Sequence, residues 1–214
     1  MKQRYLIFDL DNTLYPKESG LLKQIDRQID GFIKRTLKVP ETEVSKLRRY
    51  YWKNYGTTLG GMVACHNINP LDYIKEAYNV DVAAFLKPDP YLSEILSKLD
   101  LKKAVFSNSP LEYVEEVLEV LKIRSFFEKI YDIQFCNYLG KPNQSSYFKV
   151  LSDLGIEGKD CLLLDDTPAN VIGGEKAGIT SILYGDAPAD GIKWRIYNYA
   201  ELPGIITKIQ AQTA

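Results

Sequence analysis

The chain has 214 residues, of which 45% are hydrophobic, enough for one large core or for a core domain with a smaller one attached. Its 27 Lys+Arg and 28 Asp+Glu leave a formal net charge of -1, which excludes the basic footprint of a nucleic-acid-polymer or anionic-membrane binder and makes any phosphate binding local. Cys65, Cys136 and Cys161 form no even-numbered framework and read as reduced thiols, and the opening Met-Lys-Gln-Arg-Tyr resembles neither a signal peptide nor a membrane span, so a cytoplasmic protein is expected.

Tyr5-Leu6-Ile7-Phe8 is a short apolar run that stops at Asp9, the pattern of a buried parallel strand. From about residue 15 to residue 87 the apolar period is helical. Leu22, Ile25, Ile29, Phe32 and Ile33 share one face, and Val44, Leu47, Tyr51 and Tyr55 share another that Gly56 ends. A third stripe is Leu59, Met62, Val63 and His66; the lone histidine there reads as a packed or capping imidazole. A fourth helix is expected from Asn69 as cap and Pro70 in the first turn, with Leu71, Ile74 and Tyr78 inward.

Beyond Pro88-Asp89-Pro90, helix and strand alternate. A helix through Leu92, Ile95, Leu96 and Leu99 precedes the strand Ala104-Val105-Phe106. A helix near residues 111–121 precedes a strand around residues 130–133. A helix with Tyr147, Val150, Leu151 and Leu154 inward, stopped by Gly155, precedes Leu162-Leu163-Leu164, and a last short strand is expected at Ser181-Ile182-Leu183. Strands separated by helices mean an α/β fold with a Rossmann-like parallel sheet and right-handed crossovers. The domain division expected is a core of residues 1–15 and 88–214, with residues 16–87 inserted as a helical cap.

Ligands of an open parallel sheet sit outside the carboxyl ends of its strands. Those ends carry Asp9-Leu10-Asp11-Asn12-Thr13, Ser107-Asn108, Gly140-Lys141-Pro142 and Asp165-Asp166. Each acidic pair alone could form a turn or favour a helix dipole. Gathered at one sheet edge, four carboxylates need positive charge between them. Oxygen ligands without His or Cys select a hard divalent cation, Mg2+ for a phosphate substrate. Ser109-Pro110-Leu111-Glu112 reads as a capping box, which leaves the Ser107 hydroxyl and the Asn108 amide for phosphoryl oxygens. An isolated Lys141 would read as an exposed lysine, but a cation at a helix start suits an anion held there. Thr167-Pro168 reads as the cap and first turn of the next helix.

Taken together, Asp9 to Thr13 after an apolar strand, Ser107, Lys141 and Asp165-Asp166 resemble the four motifs of the haloacid dehalogenase superfamily, in order and over essentially the whole chain. The insertion resembles that superfamily's first, helical cap class. Asp11-Asn12-Thr13-Leu14-Tyr15-Pro16 and Tyr55-Gly56-Thr57-Thr58-Leu59 resemble the pyrimidine 5'-nucleotidase group.

The resemblance implies that Asp9 is a nucleophile forming an aspartyl-phosphate, and that Asp11 protonates the leaving oxygen and later takes a proton from water. It implies that Thr13, Ser107, Asn108 and Lys141 hold phosphoryl oxygens. Asp9, Asp166 and the main-chain carbonyl of Asp11 would ligate Mg2+, with Asp165 behind them and Asn170 orienting a ligand or water. The dehalogenases of the superfamily lack the aspartate equivalent to Asp11 and work without metal, so Asp11 argues for phosphoryl transfer. Gly173-Gly174 replaces the family's usual alanines, which weakens a helix or permits close packing on a strand.

The expected substrate is a small-molecule phosphomonoester, first a pyrimidine nucleoside 5'-monophosphate with its base stacked on Tyr51 or Tyr55 and its edge bonded by Thr57 or Thr58. The alternatives are a sugar phosphate or phosphoglycolate, a phosphomutase reaction, or a binding protein that keeps the fold without the chemistry. The choice between monomer and homodimer stays open.

Overall fold

The computed structural model describes residues 4–213. Strand β1 (Tyr5–Phe8) is followed by four helices, α1 (Leu21–Leu37), α2 (Glu41–Tyr55), α3 (Thr58–His66) and α4 (Pro70–Ala77). Then come α5 (Pro90–Lys98), β2 (Lys102–Phe106), α6 (Leu111–Val120), β3 (Lys129–Tyr131), α7 (Gln144–Leu154), β4 (Cys161–Asp165), α8 (Pro168–Lys176), β5 (Thr180–Tyr184), β6 (Trp194–Ile196) and α9 (Leu202–Thr213).

The strands form one sheet in the order β3-β2-β1-β4-β5-β6, every pair parallel. The first strand therefore lies at the centre, between β2 and β4. There the strand order reverses and leaves a crevice at the carboxyl edge. Central strands of a parallel sheet are covered on both faces and read as unbroken apolar runs, which is why Tyr5–Phe8 and Cys161–Asp165 are buried at every position. Alternate residues feed the two faces: Leu6 and Phe8 pack into a core shared with α1, α5, α6 and α9, whereas Tyr5 and Ile7 pack with Phe106, Tyr147 and Val150.

In the inserted region α1 packs on α2 and α4, and α2 on α3. Gly61 makes the last contact possible, since a Cβ there would run into the Tyr51 ring. The predicted stripes of α1 and α2 bury Ile25, Ile29, Phe32 and Ile33, and Val44 and Tyr51. Asn69 caps α4 as expected, accepting from Leu71 N. Of the three residues expected inward, Ile74 and Tyr78 pack against the core and Leu71 does not, being 56% exposed, while Tyr73 and Ala77 are the fully buried residues of α4. The Phe32 ring meets Tyr73 edge-on at 5.2 Å, so an aromatic with period four fixes the helix rotation in preference to the shorter leucine.

Two elements near the C-terminus, β6 and α9, were not legible in the sequence reading. Strand β6 spans three residues, too short to show a period. No helix of the described residues is long and apolar enough to cross a membrane.

Candidate active site

The chain leaves β1 at Asp9, whose amide donates to Leu164 O at 2.9 Å, and leaves β2 at Ser107, whose amide donates to Tyr131 O at 2.9 Å. Since Phe8 is in register with Val105 and with Leu164, Asp9 stands level with Asp165 at the end of β4 and with Phe106 at the end of β2, and Ser107 follows one step on. Carboxylate oxygens of Asp9, Asp165 and Asp166 lie within 4.8 Å of one another. Lys141 arrives from the loop before α7, and its Nζ donates to Asp9 Oδ1 at 2.8 Å and to Asp165 Oδ2 at 2.6 Å. That lysine is only 1% exposed, so it is not the exposed lysine that an isolated reading would give.

One ammonium among three close carboxylates leaves net negative charge in a buried place, which a bound cation would offset. The donor set is oxygen alone, the chemistry of Mg2+ rather than of a transition metal. The residues present therefore fit the cation that the sequence implied. Asp165 is already committed: besides Lys141 it accepts from Thr167 N at 2.9 Å and from Asn170 Nδ2 at 3.1 Å. Asp166 accepts from Thr167 Oγ1 at 3.1 Å and from the Asn12 side chain and has no contact with the Lys141 ammonium as short as those of Asp9 and Asp165, so it is the freer of the two to face a cation.

Electrostatics follow from burial. Desolvation pushes the Asp9 carboxyl well above the ordinary carboxylate range, with Lys141 pulling it down and Asp165, Asp166 and Asp11 pushing it up. Burial and the neighbouring Asp165 raise Asp166 to about 6, against hydrogen bonds from Thr167 and Asn12 and the charge of Lys141. Burial alone would lower Lys141, but Asp165 and Asp9 override it and hold the ammonium charged.

Asp11 has a separate set of partners. Ser109 Oγ donates to Oδ2 at 2.6 Å, and the Tyr113 hydroxyl donates to Oδ1 at 3.0 Å. The Tyr15 hydroxyl bonds the same Oδ1 and lies 2.8 Å from that of Tyr113. Desolvation raises the Asp11 carboxyl, and the hydrogen bonds from Ser109, Tyr15 and Tyr113 oppose that rise. The arrangement fixes the carboxyl in one rotamer. The aromatic face continues into the inserted region, where the Tyr78 ring lies 5.2 Å from that of Tyr113.

Several expectations are corrected here. Ser109 does not cap α6: no side-chain cap is made at Pro110, and Asp132 Oδ2 accepts from Leu111 N at 3.1 Å instead, which frees Ser109 for Asp11. The Asn108 amide is partly committed, its Nδ2 donating to Lys141 O and its Oδ1 accepting from Lys141 N, which leaves the second Nδ2 hydrogen for another acceptor. A Cβ on Gly140 would run into that amide, so glycine is required beside it. Thr167 makes no side-chain cap either, since its hydroxyl is turned to Asp166.

A cavity of about 240 Å³ joins this edge to the inserted helices, lined by Asp9, Asp11 and Asp166 on one side and by Asp26, Arg48 and Trp52 on the other. Thr57, Thr58 and Asn108 also line it, and Thr57 Oγ1 accepts from Gly60 N at 2.9 Å as the cap of α3. Thr13 and Ser107 are buried beside it, the Thr13 hydroxyl without a partner among the described residues and Ser107 Oγ accepting from Ser109 N at 3.0 Å. Tyr51 and Tyr55 are not brought to the cavity: Tyr51 is buried with its hydroxyl 2.5 Å from His66 Nε2, and the Tyr55 hydroxyl pairs with Cys65 Sγ at 3.2 Å. Trp52 is 49% exposed and lines the cavity. Its position one residue from Tyr51 turns it off the buried stripe, a sign that helical period could have given.

The family described as Haloacid dehalogenase-like hydrolase matches residues 6–184 of this chain, and the chain belongs to that family of hydrolases. It is 26% identical over 192 residues to a phosphoglycolate phosphatase of Aquifex aeolicus, 84% of each chain being covered. It is 23% identical over 202 residues to Phosphate metabolism protein 8 of Saccharomyces cerevisiae, covering 85% of this chain and 61% of the yeast protein. Among solved structures, a predicted phosphoglycolate phosphatase from Haemophilus somnus 129pt superposes with a TM-score of 0.67 at 18% identity, over 96% of this chain and 98% of that one. The L-2-haloacid dehalogenase of Xanthobacter autotrophicus superposes with a TM-score of 0.61 at 15% identity, over 96% and 98%. These likenesses define the fold.

Proposed function

We propose that the chain is a phosphatase that hydrolyses small phosphomonoesters through an aspartyl-phosphate on Asp9. The observation that carries this reading is the meeting of Asp9, Lys141 and the Asp165-Asp166 pair at one cavity edge, with Nζ 2.8 Å from Asp9. An Asp9 carboxylate oxygen attacks phosphorus as the ester P–O bond breaks, and Asp11 gives its proton to the departing oxygen. Asp11 then takes a proton from the water that attacks the acyl phosphate, which releases inorganic phosphate and restores the Asp9 carboxylate. Lys141, Ser107 and Thr13 offset and orient the phosphoryl oxygens. Asn108 acts at one remove by holding the Lys141 backbone.

Asp9, Asp166 and the main-chain carbonyl of Asp11 would hold Mg2+, with Asp165 and Asn170 supporting them. When bound, the cation supplies positive charge for the phosphoryl oxygens and screens the acidic cluster. Residues 16–87 act in this reading as a cap over the substrate, hinged near residues 15 and 88, that excludes water during turnover.

The first substrate class is a pyrimidine nucleoside 5'-monophosphate, from the resemblance of the 11–16 and 55–59 segments. In this reading Trp52, which lines the cavity with Thr57 and Thr58, would stack on the base in place of Tyr51 or Tyr55, with one of the threonines at the base edge. A second reading, phosphoglycolate, is favoured by the relative from Aquifex aeolicus. The test is phosphate release from nucleoside monophosphates, sugar phosphates and phosphoglycolate, with Mg2+ and with chelator. Release that requires Mg2+ and vanishes in Asp9→Asn is expected; a protein inert toward the whole panel would be a binding protein instead.

A further inference from the structure

Arg48 is the only cationic side chain among the residues that line the cavity. It is not free to meet an anion. Nη2 donates to Asp26 Oδ1 at 2.5 Å and Nη1 to Asp30 Oδ1 at 2.9 Å, both carboxylates coming from α1 one turn apart. Two carboxylates and one guanidinium therefore leave net negative charge at the inserted wall, with Asp26 lining the cavity and Asp30 lining an adjoining groove. Arg49 and Lys53 line that groove, which shares Arg48, Trp52 and Thr58, and they do not line the cavity itself. The rest of the inserted wall is apolar or neutral, with Leu22, Ile29, Leu59 and Tyr73.

Resting on the phosphatase reading above, we infer that Asp26 and Asp30 act as a charge filter: by occupying Arg48 they admit phosphomonoesters whose leaving group is uncharged and reject those with a second anion close to the phosphoryl group. An arginine already paired with two carboxylates has its charge more than offset, so it gives a substrate carboxylate little net attraction even though it keeps free N–H groups. A like charge placed beside Asp26 in a partly desolvated pocket is repelled. The positions give specificity by repulsion as well as by attraction, and they tell apart the two substrate classes that the relatives and the sequence motifs leave in competition.

The test compares kcat/KM for ethyl phosphate and for phosphoglycolate, which are close in size and differ by one carboxylate, in the parent chain, Asp26→Asn, Asp30→Asn and the double variant. Both aspartate side chains are partly exposed, 44% and 32%, so the variants keep the fold. In the parent, ethyl phosphate is expected to be preferred by about tenfold or more. The double variant is expected to shift the ratio toward phosphoglycolate by about ten- to a hundredfold, mostly through the KM of phosphoglycolate. A parent that hydrolyses phosphoglycolate as well as or better than ethyl phosphate overturns the inference alone. So does a ratio unchanged in the double variant. Absence of phosphate release from every substrate in the panel removes the phosphatase reading and the filter with it.

Discussion

The side-chain amide of Asn108 closes on both backbone groups of Lys141, with Nδ2 donating to Lys141 O at 2.8 Å and Lys141 N donating to Oδ1 at 2.7 Å. The end of β2 is thereby tied to the loop before α7, and the lysine that joins Asp9 to Asp165 inherits its position from a residue that need not touch the phosphate. Asn108→Ala removes both bonds and leaves two backbone groups to find other partners, a loss of about 1–3 kcal/mol if none is found. Turnover of a phosphomonoester is expected to fall by roughly five- to 150-fold at saturating Mg2+, mainly in kcat. A variant with parental kcat would show that Lys141 is held by its ion pairs alone.

Lys141 itself is the buried centre of the acidic cluster, in contact with two carboxylates that are 6% and 0% exposed. Removing one member of such a cluster costs about 3–5 kcal/mol, because the remaining charges stay buried and unpaired. Lys141→Met is expected to lose stability on that scale in urea with chelator present, and to regain part of it with Mg2+, since a cation there replaces some of the missing charge. Equal stability of variant and parent under chelation would mean that Asp9 and Asp165 are not ionised together.

What the sequence made legible is the strand-end chemistry, because strong local signals coincide there. Apolar runs stop at polar pairs, and Asp9 and Asp165 lie at such stops, whereas Lys141, expected at a strand end, reaches them from the loop between β3 and α7. What it did not make legible depends on tertiary partners. Ser109 has the capping-box pattern, but its hydroxyl finds Asp11 from 98 residues away in sequence, and Asp132 takes over the α6 terminus. Asp26, Arg48 and Trp52 carry no motif; only the packing of α1 against α2 brings them onto one cavity wall. Tyr113 likewise shows only as a buried helix position until Tyr15 and Asp11 are placed beside it.

Asp11 offers a test that separates positioning from bulk stability. Tyr113→Phe keeps the ring that faces Tyr78 at 5.2 Å and deletes only the hydroxyl that bonds Asp11 and Tyr15. A lost hydrogen bond to a carboxyl group is worth about 1.5–3 kcal/mol, so kcat should drop by roughly ten- to 150-fold for substrates with poor leaving groups. Substrates with a good leaving group, such as an aryl phosphate, need less acid assistance and should lose less. An equal loss on both kinds of substrate would mean that the hydroxyl serves the fold rather than Asp11.

Cation binding should depend on pH in a defined direction. Burial and Asp165 hold Asp166 at about 6, above the model-compound value of 3.8, so without cation the folded state binds this proton more tightly than the unfolded state. That contribution to stability is full below about 3.8 and is lost as pH rises through about 6. A cation needs the carboxylate, so its stabilising effect runs the other way and grows over the same window. The increase in Tm on adding Mg2+ to chelator-treated protein is expected to be small at pH 5 and larger at pH 7. A constant increment, or a larger one at pH 5, would place the cation elsewhere.

The closeness of α8 to the sheet gives a prediction in which two opposing effects can be weighed. Alanine is the better helix former, so Gly174→Ala gains about 1 kcal/mol from the backbone. Yet a Cβ at Gly174 would lie 2.5 Å from Ser181 Oγ and 2.8 Å from Leu163 Cδ2, both on buried residues of adjacent strands, and protein interiors are close-packed. Overpacking of this kind costs about 1–3 kcal/mol, so steric cost should exceed propensity and stability should fall. Gly204, inside α9 with nothing within 4 Å of an added Cβ, is the control in which propensity acts alone, and Gly204→Ala should hold or raise Tm. At roughly 2–4 °C per kcal/mol for a chain of this size, thermal unfolding resolves the two. Because Asn170 on α8 bonds Asp165 at 3.1 Å, a helix pushed off the sheet also loosens the acidic cluster, and Gly174→Ala should lose kcat along with Tm. Parental Tm in that variant would mean that α8 can slide on the sheet, and that the close glycine packing is not what sets its distance from β4.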